Sequence, residues 1–361
     1  MTMNSIETET YTVYFNAKGY EALNRYIDSH NFSKIFILVD SNTHEFCLPN
    51  FMSQLQTNIS IEIIEIEAGE QHKTINTCVG VWNVLSELNA DRKSFILNLG
   101  GGVVTDLGGF VASTFKRGIK YVNIPTTLLA MVDASVGGKT GVDLGSVKNQ
   151  IGVINSGEMV LIDTSFLDTL PQNQLKSGLA EMLKHGLIKD KAYFETLTNL
   201  SKLTLNDLDS LIHKSVVIKK NIVTKDPTEQ GIRKHLNFGH TLGHAIESYF
   251  LESETKNPLL HGEAIAIGMI LECYLSSKLL KFPKEDLEYI TKAINKIYQP
   301  VLFEHNDYNP IIELLKYDKK NEHGNINFVL LEAIALPKID CLVSNELIIE
   351  AFQYYNNSIT K

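Results

Sequence analysis

The sequence predicts an α/β N-terminal domain with a parallel, Rossmann-like sheet, followed by a mostly α-helical C-terminal domain. In the first half of the chain, short apolar runs typical of strands alternate with segments of helical periodicity, an order that favours a parallel sheet. After Leu170 and Pro171 the character changes, and helical segments follow one another. We therefore expect two domains, residues 1–172 and 173–361, in a chain long enough to bury a sizeable core.

Five strand-like runs mark the first half. The run at residues 34–40 is almost uniformly apolar, as in a buried strand, and the next alternates apolar and acidic residues, as in a half-exposed strand. In chain order the runs are KIFILVD, ISIEIIEIE, SFILNLGGG, YVNIPTT and MVLIDTSFL. Ligands of parallel sheets bind beyond the carboxyl ends of the strands, so the glycine turn after the third run is expected at a binding site.

Helical periodicity marks one long segment between the second and third strands, TINTCVGVWNVLSELNADR, and most of the second half. The segments of the second half are QLKSGLAEMLKHGLI, LTLNDLDSLIHKSVVIKKNIV, TLGHAIESYF, GEAIAIGMILECYLSSKLL and EDLEYITKAINKIY. No low-complexity linker separates the two halves, so we expect the two domains to pack closely.

The composition argues against several classes of function. A net charge of −9 disfavours a nucleic-acid or anionic-membrane surface, so positive charge for an anionic ligand must be local. The four cysteines lack C-x-x-C spacing, which favours reduced thiols over disulfides or a zinc ribbon. No secretion signal is visible, and the apolar run AIAIGMILECYLSS is interrupted by Glu272 and too short to span a bilayer. We therefore expect a cytoplasmic protein.

The segment NLGGGVVTDLGGF resembles a dinucleotide-binding turn without matching it, because Thr105 stands where the fingerprint requires its last glycine. Three consecutive glycines directly after a strand still favour phosphate or dinucleotide binding over structural punctuation.

The segment DASVGGKTGVD resembles a P-loop, but Asp133 stands where that motif requires its first glycine, six residues before Lys139. A nucleoside-triphosphate loop is therefore not expected. Lys139, Lys148 and Asn149 are candidate anion ligands, although the residues alone favour a solvated loop charge for the two lysines.

Three potential metal ligands, Glu181, His240 and His261, lie in apolar helical segments where a charged or imidazole group is costly unless paired or ligated. A carboxylate and two imidazoles suit catalytic zinc, which keeps one position open for substrate. Spacing alone leaves satisfied core or surface residues as the alternative. His244 follows His240 by four residues on the same helical face, but Thr241 replaces the glutamate that a zinc-protease helix requires.

Basic and polar residues of the second half could neutralise a substrate that carries carboxylate and phosphate groups. Arg233 is suited to bidentate binding of either group. The candidates are Lys184, Lys219, Arg233, Asn237, His244 and the pair Lys319 and Lys320.

In their order along the chain, these motifs resemble the 3-dehydroquinate synthase family over nearly the whole sequence. The motifs are GEQHKT, GGGVVTDLGGFVASTFKRGI, IPTTLLAMVDASVGGKTGVD, KNQIG, GLAEMLKHG, LNFGHTLGHAIE and HGEAIAIGM. The resemblance implies an N-terminal NAD-binding α/β domain, a helical C-terminal domain that holds one divalent zinc, with cobalt as the alternative metal, and a homodimer.

The resemblance also implies a role for each matching residue. The implied metal ligands are Glu181, His240 and His261. The implied NAD contacts are Asp40, Asn42, Glu70, Lys73, Gly101, Gly102, Val103, Asp106, Thr126, Thr127, Lys148, Thr169 and Leu170. The implied substrate and catalytic groups are Asp133, Lys139, Asn149, Lys184, Lys219, Glu229, Arg233, Asn237, His244 and one of Lys319 or Lys320, with Arg117 reaching the neighbouring subunit's site.

Two departures from the family pattern are Gln174, where an acidic residue is expected, and Ala335, where glycine is common. Neither touches the implied chemistry. His240 and His244 are implied to differ in role, since His240 ligates the metal and His244 meets the substrate.

The implied reaction converts 3-deoxy-D-arabino-heptulosonate 7-phosphate into 3-dehydroquinate and phosphate, a carbon–oxygen lyase step of the shikimate pathway towards chorismate and the aromatic amino acids. It proceeds by transient oxidation with NAD+, phosphate elimination, reduction and intramolecular aldol closure. The alternatives are a related sugar-phosphate cyclase, an NAD- and metal-dependent polyol dehydrogenase, and a non-catalytic NAD-binding relative.

Overall fold

The computed structural model of the chain describes residues 3–145, 147–199, 205–317 and 326–359. The chain divides into two units. The first consists of Met1–Pro171 and Leu208–Lys220, and the second of Gln172–Asp207 and Asn221–Lys361.

A seven-stranded sheet forms the centre of the first unit. The strands of this unit are β1 (Ile6–Glu7), β2 (Thr12–Phe15), β3 (Ile35–Asp40), β4 (Ile61–Ile66), β5 (Phe95–Gly100), β6 (Lys120–Pro125), β7 (Lys139–Leu144), β8 (Val147–Ile154) and β9 (Met159–Ile162). In the sheet the order is β1-β2-β9-β6-β5-β3-β4, and β7 and β8 form a separate antiparallel hairpin. All neighbours in the sheet are parallel except β1 and β2.

The burial of the central strands explains their apolar sequences. Every residue of β5 is buried, and in β3 only the last residue, Asp40, is partly exposed. This pattern is expected of parallel strands covered on both faces, and the predicted parallel α/β sheet is confirmed. Because β4 lies on one side of β3 and β5 on the other, the strand order reverses there. At such a switch point a crevice opens beyond the carboxyl ends of the strands, where ligands of this fold class bind.

The helices of the first unit connect the strands of the sheet. They are α1 (Asn16–Ser29), α2 (Ser41–Phe46), α3 (Leu48–Gln54), α4 (Ile75–Glu87) and α5 (Gly102–Thr114). The predicted helix between the second and third strand-like runs corresponds to α4. The sequence did not predict the β7–β8 hairpin, because glycines weaken its strand pattern. They are needed there, since a Cβ on Gly152 would lie 2.2 Å from the carbonyl oxygen of Thr140.

The second unit is mostly helical, as predicted. Its elements are α6 (Gln172–Lys189), α7 (Lys191–Leu197), α8 (Leu205–Lys225), α9 (His240–Glu252), α10 (His261–Leu279), α11 (Lys284–Ile297), α12 (His305–Leu314), β10 (Asn327–Ala333), β11 (Leu336–Leu342) and α13 (Asn345–Ile359), with part of α8 in the first unit. Within the described ranges, no helix combines the length and apolarity needed to cross a membrane.

The β10–β11 hairpin turns at Ala335, whose φ of 68° lies in the left-handed region. Glycine adopts this conformation without steric cost, whereas a Cβ makes it unfavourable. The turn geometry therefore favours glycine over alanine at this position.

Three helices of the second unit approach one another through small residues. A Cβ on Gly268 of α10 would lie 2.0 Å from the carbonyl oxygen of Gly239, directly before α9. A Cβ on Gly262 of α10 would lie 2.2 Å from the carbonyl oxygen of Ser177 of α6, and the Ser177 hydroxyl accepts a hydrogen bond from the Gly262 N–H at 3.0 Å. These close approaches hold the start of α9 against α10, and the first turn of α10 against α6.

Candidate active site

Three neighbouring strands of the first unit lead into residues that the resemblance assigns to NAD. β3 ends at Asp40, β5 is followed by Gly101 and Gly102, and β6 is followed by Thr126. Because β6, β5 and β3 are adjacent and parallel, these ends lie at one edge of the sheet. The Thr126 N–H donates to the carbonyl of Gly100 at 3.0 Å, which joins two of the turns.

The turn from β5 into α5 requires glycine. A Cβ on Gly100 would lie 2.5 Å from the Val104 side chain, and one on Gly101 would lie 3.0 Å from that of Thr127. Gly101 is the N-cap of α5 and has no side chain to cap the helix. The first turn of α5, which includes Val103, therefore presents backbone N–H groups without a side-chain cap, a geometry suited to a pyrophosphate.

Lys73 forms the centre of a buried polar cluster in the first unit. Its Nζ donates to Asp106 Oδ2 at 2.6 Å and to Asn149 Oδ1 at 2.7 Å, and Lys148 lies 3.7 Å from Glu70 nearby. Burial lowers the pKa of Lys73, but the carboxylates of Asp106 and Glu70 outweigh burial, so the pKa is raised.

The ionisation of Asp106 follows from this contact. Burial raises the pKa of Asp106, and the ammonium of Lys73 opposes the rise. The raised pKa of Lys73 favours a charged pair, whereas the raised pKa of Asp106 favours a neutral carboxyl group. We regard the carboxylate as ionised at neutral pH, because Nζ lies only 2.6 Å from Oδ2.

Asp133 and Lys219 pair within the first unit. The Lys219 Nζ donates to the backbone carbonyl of Asp133 at 2.5 Å and to its Oδ1 at 2.6 Å. Lys219 is buried and Asp133 is half-buried, so this ammonium has a fixed position. Lys139 is exposed at the start of β7, directly after Gly138, whose φ is 69°.

Other implied contacts lie at more exposed positions. Asn42 is exposed in the first turn of α2, and Thr169 is exposed at the end of the 3-10 turn Thr164–Thr169, with Leu170 next to it. Arg117 is exposed at the end of the short 3-10 turn Phe115–Arg117 and has a left-handed φ of 71°. Lys319 and Lys320 fall outside the described residues.

In the second unit, Glu181 meets two of the predicted imidazoles. Its side chain is fully buried in the middle of α6. Its Oε1 lies 3.3 Å from Nε2 of His240 and 3.6 Å from Nε2 of His261, and its Oε2 pairs with the buried ammonium of Lys184. Neither carboxylate oxygen receives a hydrogen bond of acceptable geometry, although both have these ion-pair contacts. The predicted ligands Glu181, His240 and His261 are therefore together in one place.

The other ring nitrogen of each imidazole has its own acceptor. Nδ1 of His240 lies 3.1 Å from the carbonyl oxygen of Phe238, and Nδ1 of His261 lies 3.2 Å from Glu247 Oε2. Oxygen acceptors place a proton on each Nδ1, so the neutral rings direct the lone pair of Nε2 towards Glu181.

This donor set fits a divalent cation. A carboxylate oxygen and two Nε2 lone pairs converge in a buried position, where they repel one another unless a proton or a cation lies between them. One oxygen and two imidazole nitrogens are ligands that zinc prefers, and acceptors on Nδ1 are typical of ligating histidines. Glu181, His240 and His261 would hold the ion.

The pKa values of the three groups indicate which of them holds a proton when no metal is bound. Burial raises the pKa of Glu181, but Lys184 and His240 outweigh it, so the pKa is lowered well below its usual range. Burial and Lys184 lower the pKa of His240. Burial also lowers the pKa of His261, but the carboxylates of Glu247 and Glu181 outweigh it and raise the pKa to about 10. Without a metal, His261 therefore carries the proton of the cluster.

His244 lies beside the two ligand candidates. Its ring centroid is 5.1 Å from that of His240 and 5.7 Å from that of His261, and ligand atoms of the three imidazoles lie within 4.8 Å of one another. The structure therefore brings all three histidines together.

A loop organised by Asp226 carries further predicted substrate residues. Asp226 Oδ2 accepts from the N–H groups of Gly231 at 2.7 Å and Arg233 at 3.0 Å. Arg233 is buried, and Asn237 Nδ2 donates to Glu229 Oε1 at 2.9 Å. The Asp226 carboxylate therefore fixes the backbone at Arg233, while Glu229 and Asn237 of the same loop are joined to each other.

Sequence reasoning did not single out Glu247 or Asp226. Glu247 was visible as an acidic residue on a predicted apolar helix, where a carboxylate needs a partner. Asp226 precedes Pro227 in a turn-like stretch, and aspartate commonly accepts backbone N–H groups in such turns.

The fold is similar to those of solved synthases that bind NAD+ and a divalent metal ion. A 2-deoxy-scyllo-inosose synthase solved with carbaglucose-6-phosphate, NAD+ and Co2+ is 25% identical, with a TM-score of 0.85 over 97% of this chain and 99% of that chain. The 2-epi-5-epi-valiolone synthase of Streptomyces hygroscopicus subsp. jinggangensis 5008, solved with NAD+ and Zn2+, is also 25% identical, with a TM-score of 0.84 over 99% of both chains. An iron-containing alcohol dehydrogenase shares the fold at 14% identity and a TM-score of 0.67.

The family follows from more similar sequences. The family model of the 3-dehydroquinate synthase N-terminal domain matches residues 63–177, and that of the C-terminal domain matches residues 178–321. The 3-dehydroquinate synthase of Parabacteroides distasonis is 43% identical over 93% of this chain and 95% of its own length. That of Clostridium tetani is 36% identical over 98% and 95%. The chain belongs to the 3-dehydroquinate synthase family, and these relatives favour that function over the alternatives.

Proposed function

We propose that the chain converts 3-deoxy-D-arabino-heptulosonate 7-phosphate into 3-dehydroquinate and phosphate, as a carbon–oxygen lyase of the shikimate pathway. The observation that carries the proposal is the convergence of Glu181 Oε1 with Nε2 of His240 and His261 in a member of this family. A reaction that oxidises and then eliminates needs an electrophile next to the substrate oxygens, and this donor set can hold one.

We assign NAD binding to residues 1–172 and the metal and most substrate contacts to residues 173–361. The glycine turn before α5 and the adjacent strand ends suit the pyrophosphate and the adenosine. The buried Lys73 cluster fixes Asp106 and Asn149 at the same unit's binding edge. NAD+-bound structures of cyclases with this fold support the assignment.

When bound, NAD+ takes up and returns a hydride, and a divalent zinc or cobalt polarises the substrate's oxygens. The chain's own residues position and neutralise the substrate. Arg233 and Lys184 are buried cations suited to carboxylate and phosphate groups, and Lys219 is held in place by Asp133. His240 keeps its proton on Nδ1 through Phe238, so its Nε2 stays available as a ligand.

For His244 we propose a substrate contact rather than a metal bond. Glu181 has ion-pair contacts with His240 and His261, and these three residues make a carboxylate-and-two-histidine set. His244, one turn further along α9, then adds an imidazole next to the open position, where it can donate to or accept from a substrate hydroxyl.

We also propose a cytoplasmic homodimer in which Arg117 contacts the neighbouring subunit's site. An exposed arginine in a left-handed turn is not needed for the packing of its own unit, and it can reach an anionic substrate in a second copy.

A phosphate-release assay with the heptulosonate phosphate, NAD+ and zinc tests the proposal. We expect phosphate release without net accumulation of NADH. His240→Ala should lose both metal and turnover, whereas His244→Ala should keep the metal and lose turnover. Absence of phosphate release from the wild type would reject the activity, and accumulation of NADH would favour a dehydrogenase. Equal loss of metal in both variants would contradict the separate roles of the two histidines.

A further inference from the structure

Glu272 is a fully buried carboxylate in the second unit, outside the ligand and substrate residues. It lies in α10 within the run AIAIGMILECYL, which is otherwise uncharged. A buried charge is costly unless it is hydrogen-bonded. The carboxylate must therefore accept hydrogen bonds from groups of another element.

Those groups belong to the start of α9. Glu272 Oε2 accepts a hydrogen bond from the Gly239 N–H at 2.6 Å, and Oε1 accepts one from the Leu242 N–H at 3.3 Å. The N-cap of α9 is Gly239, which has no side chain that could cap the helix itself. Glu272 therefore caps α9 from the neighbouring helix, with its negative charge at the positive end of the helix dipole.

The capped end is also the point at which His240 enters the metal cluster. His240 is the first residue of α9, directly after Gly239, whose φ of 79° is left-handed. The orientation of the imidazole is fixed by the contact of its Nδ1 with the carbonyl oxygen of Phe238, the residue before that glycine. The close approach of Gly268 to the Gly239 carbonyl holds α10 against the same point. A change in the cap would therefore rotate or fray the residue that carries Nε2.

We propose that Glu272 is a positioning residue for the metal site, which directs Nε2 of His240 towards Glu181 by capping the first turn of α9. The inference rests on the proposed metal site, because it assigns Glu272 an effect on the affinity for the ion. It predicts that the loss of this carboxylate weakens metal binding beyond any general loss of stability.

The test measures zinc binding to the full chain after removal of metal by a chelator, through competition with a chromophoric chelator. Glu272→Met keeps the side-chain volume and removes both acceptors, and we expect its Kd for zinc to rise by about 10- to 100-fold. Glu272→Gln keeps one acceptor oxygen for Gly239 and should show a smaller rise. The Gln variant also decides the question if the Met variant fails to fold.

Ser276→Ala is the matched control. Ser276 is a buried residue of the same helix, one turn on, and its hydroxyl accepts a hydrogen bond from the Leu331 N–H at 2.9 Å. The Ser276 hydroxyl also donates to the backbone carbonyl of Glu272 at 2.6 Å. Its loss should lower the thermal unfolding temperature and leave the Kd for zinc within about twofold, since neither bond involves the Glu272 carboxylate or the N–H groups at the start of α9.

The possible outcomes distinguish a failure of the positioning role from a failure of the proposed metal site. Wild-type affinity in both Glu272 variants, together with loss of binding in His240→Ala, would overturn the positioning role alone. Equal weakening in Ser276→Ala and Glu272→Met would also overturn it, because general destabilisation would then explain both. If His240→Ala bound zinc as tightly as the wild type, the metal site itself would fail, and the inference with it.

Discussion

Removal of Lys73 should destabilise the first unit strongly, and removal of its partner as well should restore part of the loss. Lys73→Met leaves the Asp106 carboxylate in a largely buried position without the ammonium that lies 2.6 Å away. Loss of one partner of a buried ion pair costs about 3–5 kcal/mol, whereas replacement of both by apolar groups is often close to neutral. We therefore expect Lys73→Met and Asp106→Leu to be non-additive in the double variant, by about 2–3 kcal/mol.

The chain offers its own probe for this experiment. Trp82 is the only tryptophan, lies on α4 of the first unit, and donates through Nε1 to the carbonyl of Val111 on α5 at 3.3 Å. Its fluorescence during urea unfolding therefore reports the element that carries Asp106. The free energies of unfolding of the wild type, both single variants and the double variant give the coupling energy of the pair.

A matched control is the more exposed pair of Lys34 and Glu62 in the same unit, with an Nζ–Oε1 distance of 3.4 Å. Its coupling should stay below about 1 kcal/mol. Because the pKa of Lys73 is raised above its usual value, its contribution is complete below that value and is lost only at higher pH. The coupling should thus be equal at neutral and mildly alkaline pH. Additivity of the Lys73 and Asp106 variants within about 0.5 kcal/mol would refute the reasoning.

Further expectations concern the second unit. Glu247→Leu should weaken zinc binding about 10- to 100-fold in a chelator competition, because His261 loses its Nδ1 acceptor; an unchanged Kd would contradict this role. Zinc affinity should rise by about tenfold per pH unit from about pH 6 to about pH 8, because the pKa of His261 is raised to about 10 and its proton must leave; a flat profile would exclude this competition. Asp226→Asn should raise the substrate KM about tenfold or more and change kcat less, since its loop loses two charge-assisted hydrogen bonds; a change in kcat alone would argue against it. Ala335→Gly should stabilise the protein by about 0.5–1 kcal/mol in urea unfolding, and destabilisation would show that the left-handed turn is not strained.

The sequence predicted the parallel sheet because burial leaves a direct mark on it. β3 and β5 are covered on both faces, and their runs are accordingly apolar. The β7–β8 hairpin left no such mark. A register shift between Val142 and Leu144 breaks the alternation, and the close backbone approach at Gly141 and Gly152 replaces side chains that would have signalled a strand.

In the candidate site, too, some features were predictable from the sequence and others were not. Residue types and motif resemblance pointed to Glu181, His240 and His261, and the structure brings these side chains together. Their convergence depends on how closely helices can pack at residues such as Gly262, which no helical periodicity encodes. The sequence also shows Glu272 as a charged residue within an apolar run. Its partners are backbone N–H groups of another helix, and backbone groups are the same in every sequence.

The proposed metal ligands come from three different helices, α6, α9 and α10. An ion held by all three acts as a non-covalent cross-link, because an unfolded chain cannot present the same donors together. A ligand that binds only the folded form stabilises it by about 2.7 kcal/mol at a hundredfold excess over its Kd. The supply of free zinc would then govern the lifetime of the protein as well as its turnover. Under metal starvation, the second unit should be lost to proteolysis before the first.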